Sequence, residues 1–237
     1  ACGYTKVISA AKIAKVSAPK LAKTVYTYNG KVQKPSVTVK DSTGKQLKSG
    51  ADYTVNYPKG RKAVGRYGVQ VKLKGKYKGS RTVYFTVKPK GTSISKVTGG
   101  KKRITVTWKK QTAQTTGYQI QYSTSSNFKN AKTVTVRKNR TTKKTITGLK
   151  NGKKYYVRVR TYKTVKTGHK STKYYSNWSK SKKTGSAKKS APKGNTVYVS
   201  PTGKKYHYVK SCAGKHPIKT TLKEAKKNHT PCKKCAM

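Results

Sequence analysis

The stretch Leu149-Lys-Asn-Gly152-Lys-Lys-Tyr155-Tyr-Val157-Arg-Val159 decides the fold class. Asn151-Gly152 is a turn dipeptide. Beyond it Tyr155, Val157 and Val159 alternate with Tyr156 and Arg158, which is the two-residue period of a strand with one face in a core. The same period runs upstream through Ile104, Val106 and Trp108, then Tyr118, Ile120 and Tyr122, then Val134 and Val136. A second set occupies the chain before Pro89: Val37 and Val39, then Tyr53, Val55 and Tyr57, then Val69, Val71 and Leu73, then Val83, Phe85 and Val87. Turn clusters separate these runs, at Asp41-Ser-Thr-Gly44, Pro58-Lys-Gly60 and Gly75-Lys-Tyr-Lys-Gly79. Many short strands at this spacing predict a mostly β chain with two antiparallel β-sandwiches in line, over 1–90 and 91–183. Eighteen tyrosines against two phenylalanines suit half-buried strands that keep a polar tip in water.

The charge is extreme. There are 59 Lys and Arg against three acids, Asp41, Asp52 and Glu224, for a formal net charge of +56. Self-repulsion on that scale opposes compaction, and such a surface attracts any dense polyanion, whether nucleic acid, teichoic acid or an anionic membrane. The basic residues run from end to end and are not gathered in one patch, which favours nonspecific contact over sequence-specific nucleic-acid recognition. Asp52 is read as bracing the turn beside Tyr53. No apolar run is long enough to cross a membrane. No signal peptide is visible, which leaves a chain that is already processed or cytosolic. Cys2 is read as a free thiol.

Residues 184–194 are small, polar and basic and read as an extended, self-repelling tether. Behind it, 195–237 forms a third module. Val197 to Val199 alternate like a strand, Ser200-Pro-Thr-Gly203 is a turn, and Tyr206 to Tyr208 return as the second strand of a hairpin. Thr221-Leu-Lys-Glu224 has capping-box spacing, with Thr221 capping a helix and Glu224 reaching back to the cap residue's N–H. Pro231 prevents that helix from running on.

A module this small needs a staple. Cys232 and Cys235 form a C-x-x-C pair, and Cys212 and His207 come from the hairpin end. Together they make a Cys3His set suited to a closed, tetrahedral structural zinc site. His216 and His229 are rival ligands for the histidine position. A disulfide is the competing use of the thiols, although three cysteines cannot all pair within the module.

Three resemblances add to this reading. The segment Gly50-Ala-Asp52-Tyr53-Thr-Val55, with Tyr26-Thr-Tyr28-Asn-Gly30, Ala63-Val-Gly65 and Gly75-Lys-Tyr77-Lys-Gly79, resembles the bacterial Ig-like repeats of secreted Gram-positive surface proteins. Residues 92–183 resemble a fibronectin type III domain. Trp108 stands where that family has its core tryptophan, Leu149, Gly152 and Tyr155 match its tyrosine corner, and Trp178 lies near the last strand, where its flanking lysines could stack on it. The Thr-Gly-Lys-Lys-Tyr-His207 hairpin, Cys212, Leu222-Lys-Glu-Ala-Lys and Thr230-Pro-Cys232-Lys-Lys-Cys235 resemble the small zinc domain of the Ada family. The methyl-accepting cysteine of that family is replaced here by His207, so phosphotriester repair does not carry over.

Together the resemblances imply an exported, extracellular or cell-surface bacterial protein that associates with anionic cell-wall polymer or adheres. The alternative is a nucleic-acid-binding accessory protein that uses the zinc module. Three acids and four histidines leave few general acid–base residues. No phosphate loop, nucleophile elbow or His-Glu-x-x-His is present. A four-ligand zinc site has no open position for an activated water. The chain is therefore read as non-enzymatic, with no small-molecule substrate.

Overall fold

The computed structural model describes residues 15–184 and 196–235; Cys2 and the tether at 185–194 lie outside the described residues. The first unit consists of β1 (Lys20–Leu21), β2 (Val25–Thr27), β3 (Val37–Thr38), β4 (Tyr53–Asn56), β5 (Gly65–Leu73) and β6 (Ser80–Lys88). One sheet has the order β2-β6-β5-β4, and β1 pairs with β3 in a second. The alternation in β5 and β6 sends Val69, Val71, Phe85 and Val87 inward, all nearly inaccessible. The rings of Tyr26 and Tyr67 lie 5.6 and 5.4 Å from that of Phe85.

Two expectations are corrected in this unit. It is not wholly antiparallel, because β2 runs parallel to β6 with Val25 opposite Thr86 and Thr27 opposite Lys88. The chain between them passes through the other sheet, so no hairpin dictates the direction of the pair. The tyrosine tips are also not simply wet. Tyr53 donates its hydroxyl to the Val37 carbonyl at 3.1 Å, and Tyr57 donates to Pro35 at 2.6 Å. Each of these phenols fills a core position with its ring and satisfies a backbone carbonyl with its tip. Asp52 does brace its turn, accepting the Lys48 N–H at 2.8 Å.

The second unit has eight strands: β7 (Ile94–Gly100), β8 (Arg103–Trp108), β9 (Gly117–Ser123), β10 (Lys132–Val136), β11 (Lys143–Ile146), β12 (Tyr156–Thr167), β13 (Lys170–Tyr175) and β14 (Lys182–Lys183). The sheets are β11-β8-β7 and β10-β9-β12-β13, with β14 also on β12, and every pair is antiparallel. Trp108, Tyr118, Ile120, Val157 and Val159 meet in the core between them. The Tyr118 ring packs on Trp108 at 5.3 Å, and its hydroxyl accepts the Gln111 N–H at 2.8 Å while its one proton lies within reach of the carbonyls of Asn139 at 2.7 Å and Gln111 at 2.9 Å. Tyr155 accepts the Lys150 N–H at 3.0 Å, tying down the corner that leads into β12.

Between β13 and β14 the chain leaves the β12 ladder. Ser176 and Ser179 replace the missing backbone partners: their hydroxyls accept the N–H groups of Thr161 and Val159, each at 3.0 Å. This bulge places Trp178 over β12, where its partners are the guanidinium groups of Arg158 at 4.9 Å and Arg160 at 4.3 Å. The expected stacking by flanking lysines is thereby corrected. The two arginines alternate along β12 and so present both guanidinium groups on the one face that Trp178 covers, whereas Lys173 lies over the Tyr162 ring instead, at 5.7 Å. Arg158 also covers Phe128, and Arg160 covers Tyr175, each at 4.0 Å.

The third unit comprises β15 (Thr196–Val199), β16 (Lys205–His207), a 3-10 turn (Lys210–Cys212), β17 (Ile218–Thr221), α1 (Leu222–Asn228) and β18 (Thr230–Pro231). Its sheet runs β17-β15-β16-β18, with β16 and β18 parallel. Val197, Val199, Tyr206 and Ala225 form its small core. Thr221 accepts the Glu224 N–H at 3.2 Å, which is half of the expected capping box. The other half is absent: the Glu224 carboxylate turns to Lys227 at 3.0 Å. The cap residue is at the same time the last residue of β17, opposite Thr196 in the ladder.

Candidate metal centre

Three short elements converge at one edge of the third unit. β16 ends on His207, the 3-10 turn ends on Cys212, and β18 delivers the chain to Cys232 and Cys235. The Cys232 N–H donates to the Tyr206 carbonyl at 3.0 Å, which locks the C-x-x-C segment beside His207. The Cys235 N–H then donates to the Cys232 carbonyl at 3.2 Å and closes a tight turn.

The donor atoms of His207, Cys212, Cys232 and Cys235 all lie within 4.8 Å of one another. Cys212 Sγ is 4.0 Å from Cys232 Sγ, and Cys235 Sγ is 3.6 Å from His207 Nδ1. An ion held tetrahedrally at the usual zinc bond lengths needs S···S separations of about 3.8 Å and N···S separations of about 3.5 Å. The residues present therefore fit a metal ion. All three thiols are free, and the 4.0 Å sulfur separation is twice the length of a disulfide bond, about 2.0 Å. His207 presents Nδ1. His216 is exposed, and neither it nor His229 belongs to the cluster.

The local electrostatics separate the thiols. Burial pushes the Cys212 thiol up to about 11, and the neighbouring sulfurs of Cys235 and Cys232 push the same way. At Cys232 burial also acts upward, but the N–H groups of Lys234 and Cys235 and the two other thiols outweigh it, and the pKa is lowered. Backbone N–H dipoles aimed at a sulfur stabilise the thiolate. Burial, with Lys205 beside it, lowers the His207 pKa and keeps the ring neutral, as a ligand must be. A metal held by these four residues would require Cys212 as its thiolate, so its uptake would release a proton.

Residues 87–177 match the model of the fibronectin type III domain. That span carries the Trp108 core, the Tyr155 corner and the stacked Arg158 and Arg160. Solved structures similar to this chain include domains A168-A170 from titin, at 16% identity and a TM-score of 0.31 over 73% of this chain and 66% of that one. The FN1-FN3 domains of chicken CNTN1 are similar at 18% identity and a TM-score of 0.32 over 72% of this chain and 64% of that one. The chain thus spans just under two thirds of each. No curated protein matches it.

The sequence reading missed the stacking of Arg158 and Arg160. Its signal was present, since the two arginines alternate with Val157 and Val159 and so had to share the outer face of β12.

Proposed function

We propose that this protein is an extracellular binding or adhesion protein of a bacterial surface, that its basic faces engage anionic cell-wall polymer, and that structural zinc at His207, Cys212, Cys232 and Cys235 holds its third unit together. The observation that carries the reading is the fate of the three carboxylates. Asp41 accepts the N–H groups of Thr43 and Lys45 and the Thr43 hydroxyl. Asp52 accepts the Lys48 N–H. Glu224 makes the one ion pair among the described residues, with Lys227. Among the described residues no other cation is ion-paired, three acids cannot offset 59 Lys and Arg, and a dense external polyanion supplies the missing counter-charge. The fibronectin type III segment suits presentation and binding, and no helix among the described residues is long and apolar enough to cross a membrane.

The test is retention of the intact protein on purified Gram-positive wall sacculi at physiological salt, with duplex DNA as competitor. Retention that DNA barely displaces, and that stripping of teichoic acid abolishes, is expected. Binding should weaken steeply with salt, by the counterion release known for nucleic acids. Salt-insensitive retention refutes the reading. Easy displacement by DNA transfers the affinity to nucleic acid, and a 195–237 fragment that binds DNA alone would assign it to the zinc unit.

A further inference from the structure

A concavity of about 940 Å³ in the second sandwich lies between the segments 122–132 and 147–155. Five lysines line it: Lys129 and Lys132 from one segment, and Lys150, Lys153 and Lys154 from the other. All five are exposed. No carboxylate lines it, and residues 91–183 contain no Asp or Glu at all. Five like charges around one hollow repel each other unless an anion sits among them.

The walls are built before any ligand arrives. The Lys150 N–H is fixed on the Tyr155 hydroxyl at 3.0 Å, and the Tyr155 ring packs on Tyr122 at 6.1 Å. On the opposite wall the Ser123 hydroxyl donates to the Lys129 carbonyl at 2.7 Å and accepts the Ser125 N–H at 3.0 Å. Asn127 accepts the Lys129 N–H at 2.9 Å. Both loops that carry the lysines are thus tied at their bases, while the ammonium groups stay free to move.

We infer that this groove binds a run of closely spaced phosphates on a linear polymer. The inference rests on the polyanion reading above and gives it a place. Three features select the ligand class. The lining holds lysines and no arginine, hence mobile point charges of the kind that bind phosphate, in place of the planar fork that fixes a carboxylate or a single phosphate bidentately. The exposed Thr124 and Thr147 add hydroxyl donors that suit tetrahedral oxyanions. The hollow is at the upper end of pocket sizes that hold a small molecule, and it lies between two rows of cations, which suits a chain laid along it.

The experiment uses the full-length protein and linear inorganic polyphosphate as probe. In one variant Lys129, Lys132, Lys150, Lys153 and Lys154 are all replaced by Gln. In a control of equal charge, Lys109, Lys110, Lys138, Lys166 and Lys170 are replaced. These are all exposed and lie at the opposite end of the same sandwich, where β9 begins and β12 turns into β13. Thermal melts check that both variants fold.

The groove variant is expected to bind at least about tenfold more weakly, with a salt dependence shallower by about 0.7 for each phosphate left without its lysine. The control should keep most of the wild-type affinity. Equal losses in the two variants would overturn the groove and leave the diffuse polyanion reading standing, as would a groove variant that binds like wild type. Failure of the wild type to bind polyphosphate would overturn both. Polyglutamate of matched charge that binds as tightly through the same lysines would overturn the selectivity for phosphate.

Discussion

Replacing Cys235 by serine removes one of the four donor atoms at the proposed zinc site and leaves the other three within 4.8 Å of one another. A structural zinc site contributes about 10–16 kcal/mol to a small fold that depends on it. Shared over four ligands, one thiolate accounts for about 2.5–4 kcal/mol, so the dissociation constant should rise by roughly two to three orders of magnitude. Cobalt(II) titration followed by zinc competition reads this directly. The wild type should give the absorption of tetrahedral cobalt bound to thiolates, and Cys235→Ser a weaker spectrum at higher metal concentration. His216→Asn and His229→Asn should titrate like wild type, because neither ring belongs to the cluster. A Cys235→Ser protein with unchanged affinity, or a His229→Asn protein that loses the metal, would refute the ligand assignment.

Other perturbations act on the sandwiches. Tyr155→Phe deletes the acceptor of the Lys150 N–H and should cost about 1–2 kcal/mol in urea melts of the second sandwich. Arg160→Lys gives up the two hydrogen bonds to Gln119 at 2.9 and 2.7 Å and the cover over Tyr175 and Trp178. The expected loss is about 1–2 kcal/mol, with a changed tryptophan fluorescence. Asp41 has its pKa lowered from the ordinary 3.8, chiefly by the Thr43 hydroxyl. A carboxylate lowered on folding contributes stability that is present above its unfolded value and is lost as pH falls through the folded one. Acid below pH 3.8 should therefore weaken the first sandwich, and Asp41→Asn should flatten that limb in thermal melts taken across the acid range.

What the sequence disclosed follows from local period. Strands that bury one face announce themselves by alternation, so β5, β6, β8, β9 and β12 were legible, as was the core position of Trp108. The convergence of His207, Cys212, Cys232 and Cys235 was legible because the four keep the spacing of metal ligands within a short module. Relations between distant segments were not legible. The parallel pairing of β2 with β6 joins residues far apart in the chain, Val25 with Thr86, and no local pattern encodes the direction of such a pair. The lysine groove draws on two loops separated by β10 and β11, and among 59 basic residues nothing marks those five. The second arm of the capping box failed because Lys227, one turn along α1, offers Glu224 a charged partner.

The parallel pair also has a mechanical meaning. If the first sandwich is pulled by its two ends, the Val16–Asp41 bridge and then the two pairs of β1 with β3 give way first, because they are few and lie nearest the leading end. The load then reaches β2 from its N-terminal side and β6 from its C-terminal side. Parallel strands pulled in this way slide along each other, so their bonds bear force together instead of parting one at a time. The amide of Tyr28 on Lys88 and that of Thr86 on Thr24, both at 2.8 Å, extend the clamp at either end. A domain anchored by such a clamp resists traction far better than its equilibrium stability alone would indicate.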